Sequence, residues 1–370
     1  MVIYLFLLIV STGFAFSYMG QTETRPAFES IRRLLGFMFL ITLIVLYIWR
    51  GVSVGTDYPM YNMFLTQPST YLKGVGVESG YVWLYGIAWQ RQWPLFVTIV
   101  SFFMTYLGMY LFSRRAKIAL PMYLAMNVIT FVYMSSFNVV RQMAAIGICY
   151  IGLTLFIDDD DTTLLQRRFW IHYVVFVIGV LIAFKFHASA IIALALPFCK
   201  FIRMRPWMGW SGFVLTMFGL WYGLGNQLVP VLVRFFPHYL AKYSSGNIAF
   251  FNSGSKDIVA IIPILVQFVI LLIIMHYDKP FIQKYRWVTM MYLIYLTFYT
   301  LSGSQAAGRV QMYWLPFLVY FYCLYIQDGH APIAKASPSF MKLFIVVFFI
   351  LYTLLRIVTN NSGVYPYLFR

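Results

Sequence analysis

The sequence predicts an all-α integral membrane protein, a polytopic helical bundle with about twelve spans. Three observations carry this. Of the 370 residues, 62% are hydrophobic and 10% are charged, against roughly 25% charged in soluble domains. Continuously apolar runs close to the ~20 residues that a spanning helix needs recur along the whole chain. Basic residues gather in the short polar stretches between those runs, which is how orientation in a bilayer is set. Barrel strands would alternate apolar and polar residues, and these runs do not alternate.

Taken in order, the runs predict spans at roughly 2–18, 34–50, 94–112, 118–136, 139–157, 169–184, 187–200, 208–224, 257–275, 287–302, 310–326 and 342–359, with ends uncertain by a few residues. The first run lacks the basic start and small-residue cleavage site of a signal peptide. The stretch Gly80 to Trp89 is too short to cross and reads as an interfacial or re-entrant helix. No polar stretch is long enough for a separate soluble domain, so residues 1–370 read as one membrane domain. Within it, residues 225–256 form an aromatic-rich extracytoplasmic loop.

The formal net charge is +16, yet its distribution argues against a nucleic-acid partner. More than half of the 27 basic residues fall in alternate loops, from Arg25, Arg32 and Arg33 through Arg114 and Arg115 to Lys335 and Lys342. If the short stretch does not cross, all these loops share one side. The positive-inside rule then makes that side cytoplasmic and puts both termini outside. The run Asp158 to Asp161 reads as a solvated cytoplasmic turn, since it lacks the glycine and spacing of a calcium loop. Cys149, Cys199 and Cys323 lie in or beside apolar runs, with no disulfide or zinc spacing.

Under this topology five polar motifs converge on the outer face. They are Arg50-Gly-Val-Ser-Val-Gly-Thr-Asp57-Tyr58 with Tyr61, Glu78-Ser-Gly80-Tyr81, Asn138-Val-Val-Arg141-Gln142, Lys185-Phe-His187-Ala-Ser189 and Gly308-Arg309-Val-Gln311-Met-Tyr313. Arginine and histidine at membrane depth are costly and mark function or a buried pair. Each has a plainer reading: Arg50 and Arg309 snorkel to headgroups, Arg141 bridges Asp57 or Glu78, His187 is a satisfied turn residue. Together they favour a site. Guanidinium forks match phosphate oxygens, so Arg50, Arg141 and Arg309 with Lys185 are candidate diphosphate ligands. Arginines in that number can replace a metal, and neither metal nor cofactor is expected. A glycosyl transfer needs a base for the attacking hydroxyl and charge stabilisation for the leaving diphosphate. His187, Asp57 and Glu78 are the candidate bases. Histidine needs the least retuning, and a carboxylate flanked by arginines is a weaker base. Tyr58, Tyr61, Asn138, Gln142 and Tyr313, with Tyr243 of the long loop, are candidate substrate contacts.

These motifs, with Val54-Gly-Thr-Asp57-Tyr58, Glu78 with Gly80 and the terminal Tyr365-Pro-Tyr367, occur in an order that resembles the EpsG family of bacterial polysaccharide polymerases. That family is related in role to the Wzy-type O-antigen polymerases. The resemblance implies a GT-C-like membrane glycosyltransferase of the bacterial cytoplasmic membrane. Such an enzyme joins undecaprenyl-diphosphate-linked oligosaccharide repeat units of an O-antigen, capsule or exopolysaccharide on the outer side and releases undecaprenyl diphosphate. A chain-length regulator and a flippase would be its partners beside the bilayer. The alternatives are another lipid-linked glycosyltransferase or ligase, and a polysaccharide flippase.

Overall fold

The structure is a computed structural model and describes residues 1–19, 26–157, 164, 166–224, 258–299, 309–330, 338–360 and 363–369. The long loop with Tyr243 and the acidic run 158–161 lie outside the described residues. The described residues are overwhelmingly helical. Among the described residues, five helices are long and apolar enough to cross a membrane: Val2–Met19, Ala27–Ile48, Phe96–Arg115, Arg167–Phe184 and Ser339–Val358. The chain divides into two compact units, one of Met1–Pro197, Tyr322–Gln327 and Lys342–Arg370, the other of Phe198–Phe321 and Asp328–Met341.

The first unit holds α1 (Val2–Met19), α2 (Pro26–Ile48), α3 (Tyr58–Phe64), α4 (Ser69–Gly74), α5 (Ser79–Gln90), α6 (Phe96–Arg115), α7 (Leu120–Ile129), α8 (Val132–Ser135), α9 (Val140–Leu153) and α10 (Arg167–Phe184). Its centre is the crossing of α6 and α9. A Cβ on Gly108 would lie 1.8 Å from the Gly147 carbonyl oxygen, and one on Gly147 would lie 2.0 Å from that of Met104. Bare backbones meet there, as in membrane bundles, where small residues replace the missing hydrophobic drive. Arg32, near the start of α2, donates to the Ser17 carbonyl at 3.1 Å, pairs with Glu29 and lies 3.8 Å above the Tyr18 ring.

Two expected spans are interrupted. The stretch 118–136 breaks between α7 and α8, where Phe131 takes a left-handed φ of 66°. The buried Phe131 side chain (2% exposed) holds a conformation that costs a non-glycine residue about 1–2 kcal/mol. The stretch 187–200 forms 3-10 turns, Ala188–Ala195 and Pro197–Phe201. Pro197 has no N–H to offer a helix, which accounts for the break before it. The short stretch near 80–89 is α5, twelve residues and about 18 Å long, against the ~30 Å of a bilayer core.

The C-terminal segment 363–369 straps the start of α1 and the stretch after α2. Gly51 N–H donates to the Leu368 carbonyl at 2.5 Å and Gly55 N–H to Gly363 at 2.8 Å. Tyr4 and Tyr367 hydroxyls donate to the carbonyls of Val364 and Leu46.

The second unit packs α11 (Pro206–Tyr222) against the helices Ile258–Tyr277 and Arg286–Thr297. Gly212 allows the approach, since a Cβ there would be 2.8 Å from Thr297 Oγ1. One corner of it is polar: Asp278 accepts from the N–H groups of Phe281 (3.2 Å) and His330 (2.7 Å), and Lys284 meets Asp328 at 2.6 Å.

Candidate functional site

Glu78 occupies the N-cap position of α5, yet its side chain makes no capping bond there. The carboxylate turns instead to two partners from distant segments. Arg141, in the first turn of α9, donates from Nη1 to Oε2. His187 Nδ1 lies 2.9 Å from Oε1. All three side chains are largely buried, at 17%, 14% and 7% exposure respectively. Gly80 makes this convergence possible. Its N–H donates to the Lys185 carbonyl at 2.7 Å, and a Cβ there would sit 2.8 Å from both that oxygen and the Phe186 ring. The two short motifs around Glu78 and His187 are thus halves of one contact.

The electrostatics sort the candidate bases. Burial, the largest influence on Glu78, pushes its carboxyl up. The His187 hydrogen bond and the Arg141 charge more than reverse this, and the carboxyl titrates at about 2. So acidic a group is a poor proton acceptor near neutral pH. With Nδ1–H held by the carboxylate, the lone pair of a neutral His187 is on Nε2, the tautomer being inferred from the hydrogen bond. A base oriented by a carboxylate is the arrangement used to activate hydroxyls.

Neighbouring residues hold this trio. Thr56 N–H donates to Asn138 Oδ1 at 2.7 Å, and the Tyr61 hydroxyl to the Asn138 carbonyl at 3.3 Å. Tyr61 also lies 5.8 Å beneath the Arg141 guanidinium. Asn138 therefore ties the loop carrying Asp57 to the start of α9. Asp57 is half-buried and receives a long 3.5 Å contact from Thr56 Oγ1. Lys185 has an exposed side chain, and its backbone carbonyl makes the contact to Gly80.

Several expected contacts are packed away instead. Arg50 is 0% exposed. Its guanidinium lies 4.3, 4.0 and 4.9 Å from the Tyr47, Tyr58 and Phe137 rings and donates to the Tyr47 carbonyl at 2.8 Å. The quadrupoles of these rings act as counter-charge to the Arg50 guanidinium. Tyr58, 4% exposed, is a wall of that cage and meets Thr98 at 3.4 Å. Gln142 is 2% exposed, because one step along a helix turns a side chain about 100° away from Arg141. Tyr313, fully buried, belongs to the second unit, as does the half-buried Arg309. Arg50, Tyr58, Gln142 and Tyr313 are thus all buried side chains.

Sequence reasoning missed the contribution of Gly80 as the spacer of the site, although a glycine two residues after Glu78 was the available signal. Among the described residues no group of three or more His, Cys, Asp or Glu side chains gathers as a metal site would.

No curated protein and no solved structure matches the chain. The EpsG family profile matches residues 33–369, a stretch that takes in Glu78, Arg141 and His187. The chain belongs to the EpsG family of polysaccharide-polymerase-like membrane proteins.

Proposed function

We propose that the protein is a membrane glycosyltransferase of the bacterial cytoplasmic membrane. It joins undecaprenyl-diphosphate-linked repeat units into a polysaccharide from a GT-C-like bundle of about twelve spans, with the site on the outer side. The observation that supports this best is the single Glu78 carboxylate shared by Arg141 and His187. A hydroxyl of the acceptor sugar attacks the anomeric carbon of the donor. Its proton passes to His187 Nε2 as the new C–O bond forms. The bond from the anomeric carbon to the phosphate oxygen breaks, and the electron pair leaves with undecaprenyl diphosphate. Arg141 has five N–H donors; those not engaged by Glu78 and Tyr61 meet the charge that grows on the leaving group. Glu78 holds both partners in register and keeps the imidazole in the required tautomer.

The test is Arg141→Ala in a strain whose native copy is deleted, with membrane expression checked. Polymer should disappear while lipid-linked single repeat units accumulate. Polymer of normal length and amount would overturn the reading. Purified protein given only lipid-linked repeat units should produce a ladder of lengths, which a ligase would not.

A further inference from the structure

The site already described leaves unused a cleft of about 490 Å³ in the first unit, within the range of small-molecule pockets. It opens where the turn after α3 faces the end of α5. Asn62, Thr66, Gln90 and Gln92 supply three amides and a hydroxyl, and Trp89 an indole that is 55% exposed. No charged side chain lines it; Arg91, between the two glutamines, is not part of the wall. An amide donates and accepts at once, which suits the paired demands of a sugar hydroxyl. A flat indole offers a face for the C–H side of a ring. A phosphate or headgroup would need cations instead.

Two details point to a ligand. Asn62 Oδ1 is buried and meets no hydrogen-bond donor among the described residues. Gln92, just past the end of α5, has a left-handed φ of 49°, at a place where glycine is the unstrained choice. Retaining a glutamine there keeps an amide on the cleft against the preference of the backbone.

We propose that this cleft is a subsite for uncharged sugar rings of the saccharide chain, with Trp89 as the stacking face and Asn62, Gln90 and Gln92 as the hydrogen-bonding rim. This rests on the polymerase reading above. The cleft lies at the far end of α5 from Glu78, about 18 Å along the helix. The ring it holds is therefore several sugars removed from the reacting bond. Such a subsite governs how long a growing chain is retained, and leaves the chemical step to the trio.

The test uses full-length protein in nanodiscs, supplied with lipid-linked repeat units extracted from a host strain lacking the polymerase. The rate of the first linkage and the distribution of lengths are both read. Gln92→Gly removes the amide and relieves the backbone, so misfolding does not confound it; Trp89→Ala removes the platform. Both should keep the first-linkage kcat within about twofold, raise KM for chains of several repeats about tenfold and shift the product to shorter polymer. Trp83→Ala, an exposed indole on the same helix outside the cleft, should behave as wild type. Wild-type lengths from both cleft variants would overturn the subsite, as would an equal shortening by Trp83→Ala. Failure of the wild-type protein to form any linkage would instead sink the polymerase reading.

Discussion

Replacing Glu78 by glutamine keeps the shape of the side chain and removes the charge that both Arg141 and His187 use. The partners lower the Glu78 carboxyl to about 2, against 4.5 for an ordinary glutamate, so the fold strongly favours the ionised form. At about 1.4 kcal/mol per pH unit this is on the order of 3 kcal/mol. It agrees with the several kcal/mol expected when one member of a mostly buried pair is deleted and the other charge stays behind. The sign follows from the lowered value. This stabilisation is complete above pH 4.5, the unfolded value, and is lost as pH falls through that value toward 2. Thermal unfolding of detergent-solubilised protein should thus show Glu78→Gln melting about 5 °C or more below wild type at pH 7, at roughly 2 °C per kcal/mol for a chain this long. The gap should close as the pH is lowered through that window. Polymer formation should fall at least about 100-fold, since both the base and the diphosphate ligand lose their register. A variant that melts with wild type at pH 7, or that forms polymer at the wild-type rate, would refute the shared-carboxylate argument.

Other variants separate chemistry from architecture. His187→Ala should lower the first-linkage rate by about 10² to 10⁴ while leaving lipid-linked donor binding nearly intact, and added imidazole should restore part of the rate. Arg50→Leu should lower the melting temperature through the loss of three ring contacts worth about 0.5–2 kcal/mol each, but leave KM for the lipid diphosphate unchanged in the protein that folds. Gly147→Ala should abolish monodisperse elution in detergent size-exclusion chromatography, because its Cβ would meet the Met104 carbonyl oxygen at 2.0 Å. Gly179→Ala, with nothing within 4 Å of the new Cβ, should elute as wild type.

The sequence by itself determined what hydropathy and charge encode. Each apolar run declares its need for lipid locally, so the membrane character and a short α5 were readable in order along the chain. The chemical identity of the trio was also legible, because Glu78, Arg141 and His187 each stand in a polar motif amid apolar sequence. Their union was decided only in three dimensions. Glu78 is separated from Arg141 by 63 residues and from His187 by 109, and the contact depends on a glycine whose missing Cβ matters only once Lys185 and Phe186 are beside it. The same holds for the burial of other candidates. Arg50 and Gln142 carry groups that suit a substrate, but a helix rotates neighbouring residues to different faces, and aromatic rings or packed neighbours occupied the faces these two received. The cleft of Asn62, Trp89 and Gln92 was invisible for the opposite reason. Its residues form no motif, and only the turn after α3 folding against the end of α5 makes them neighbours.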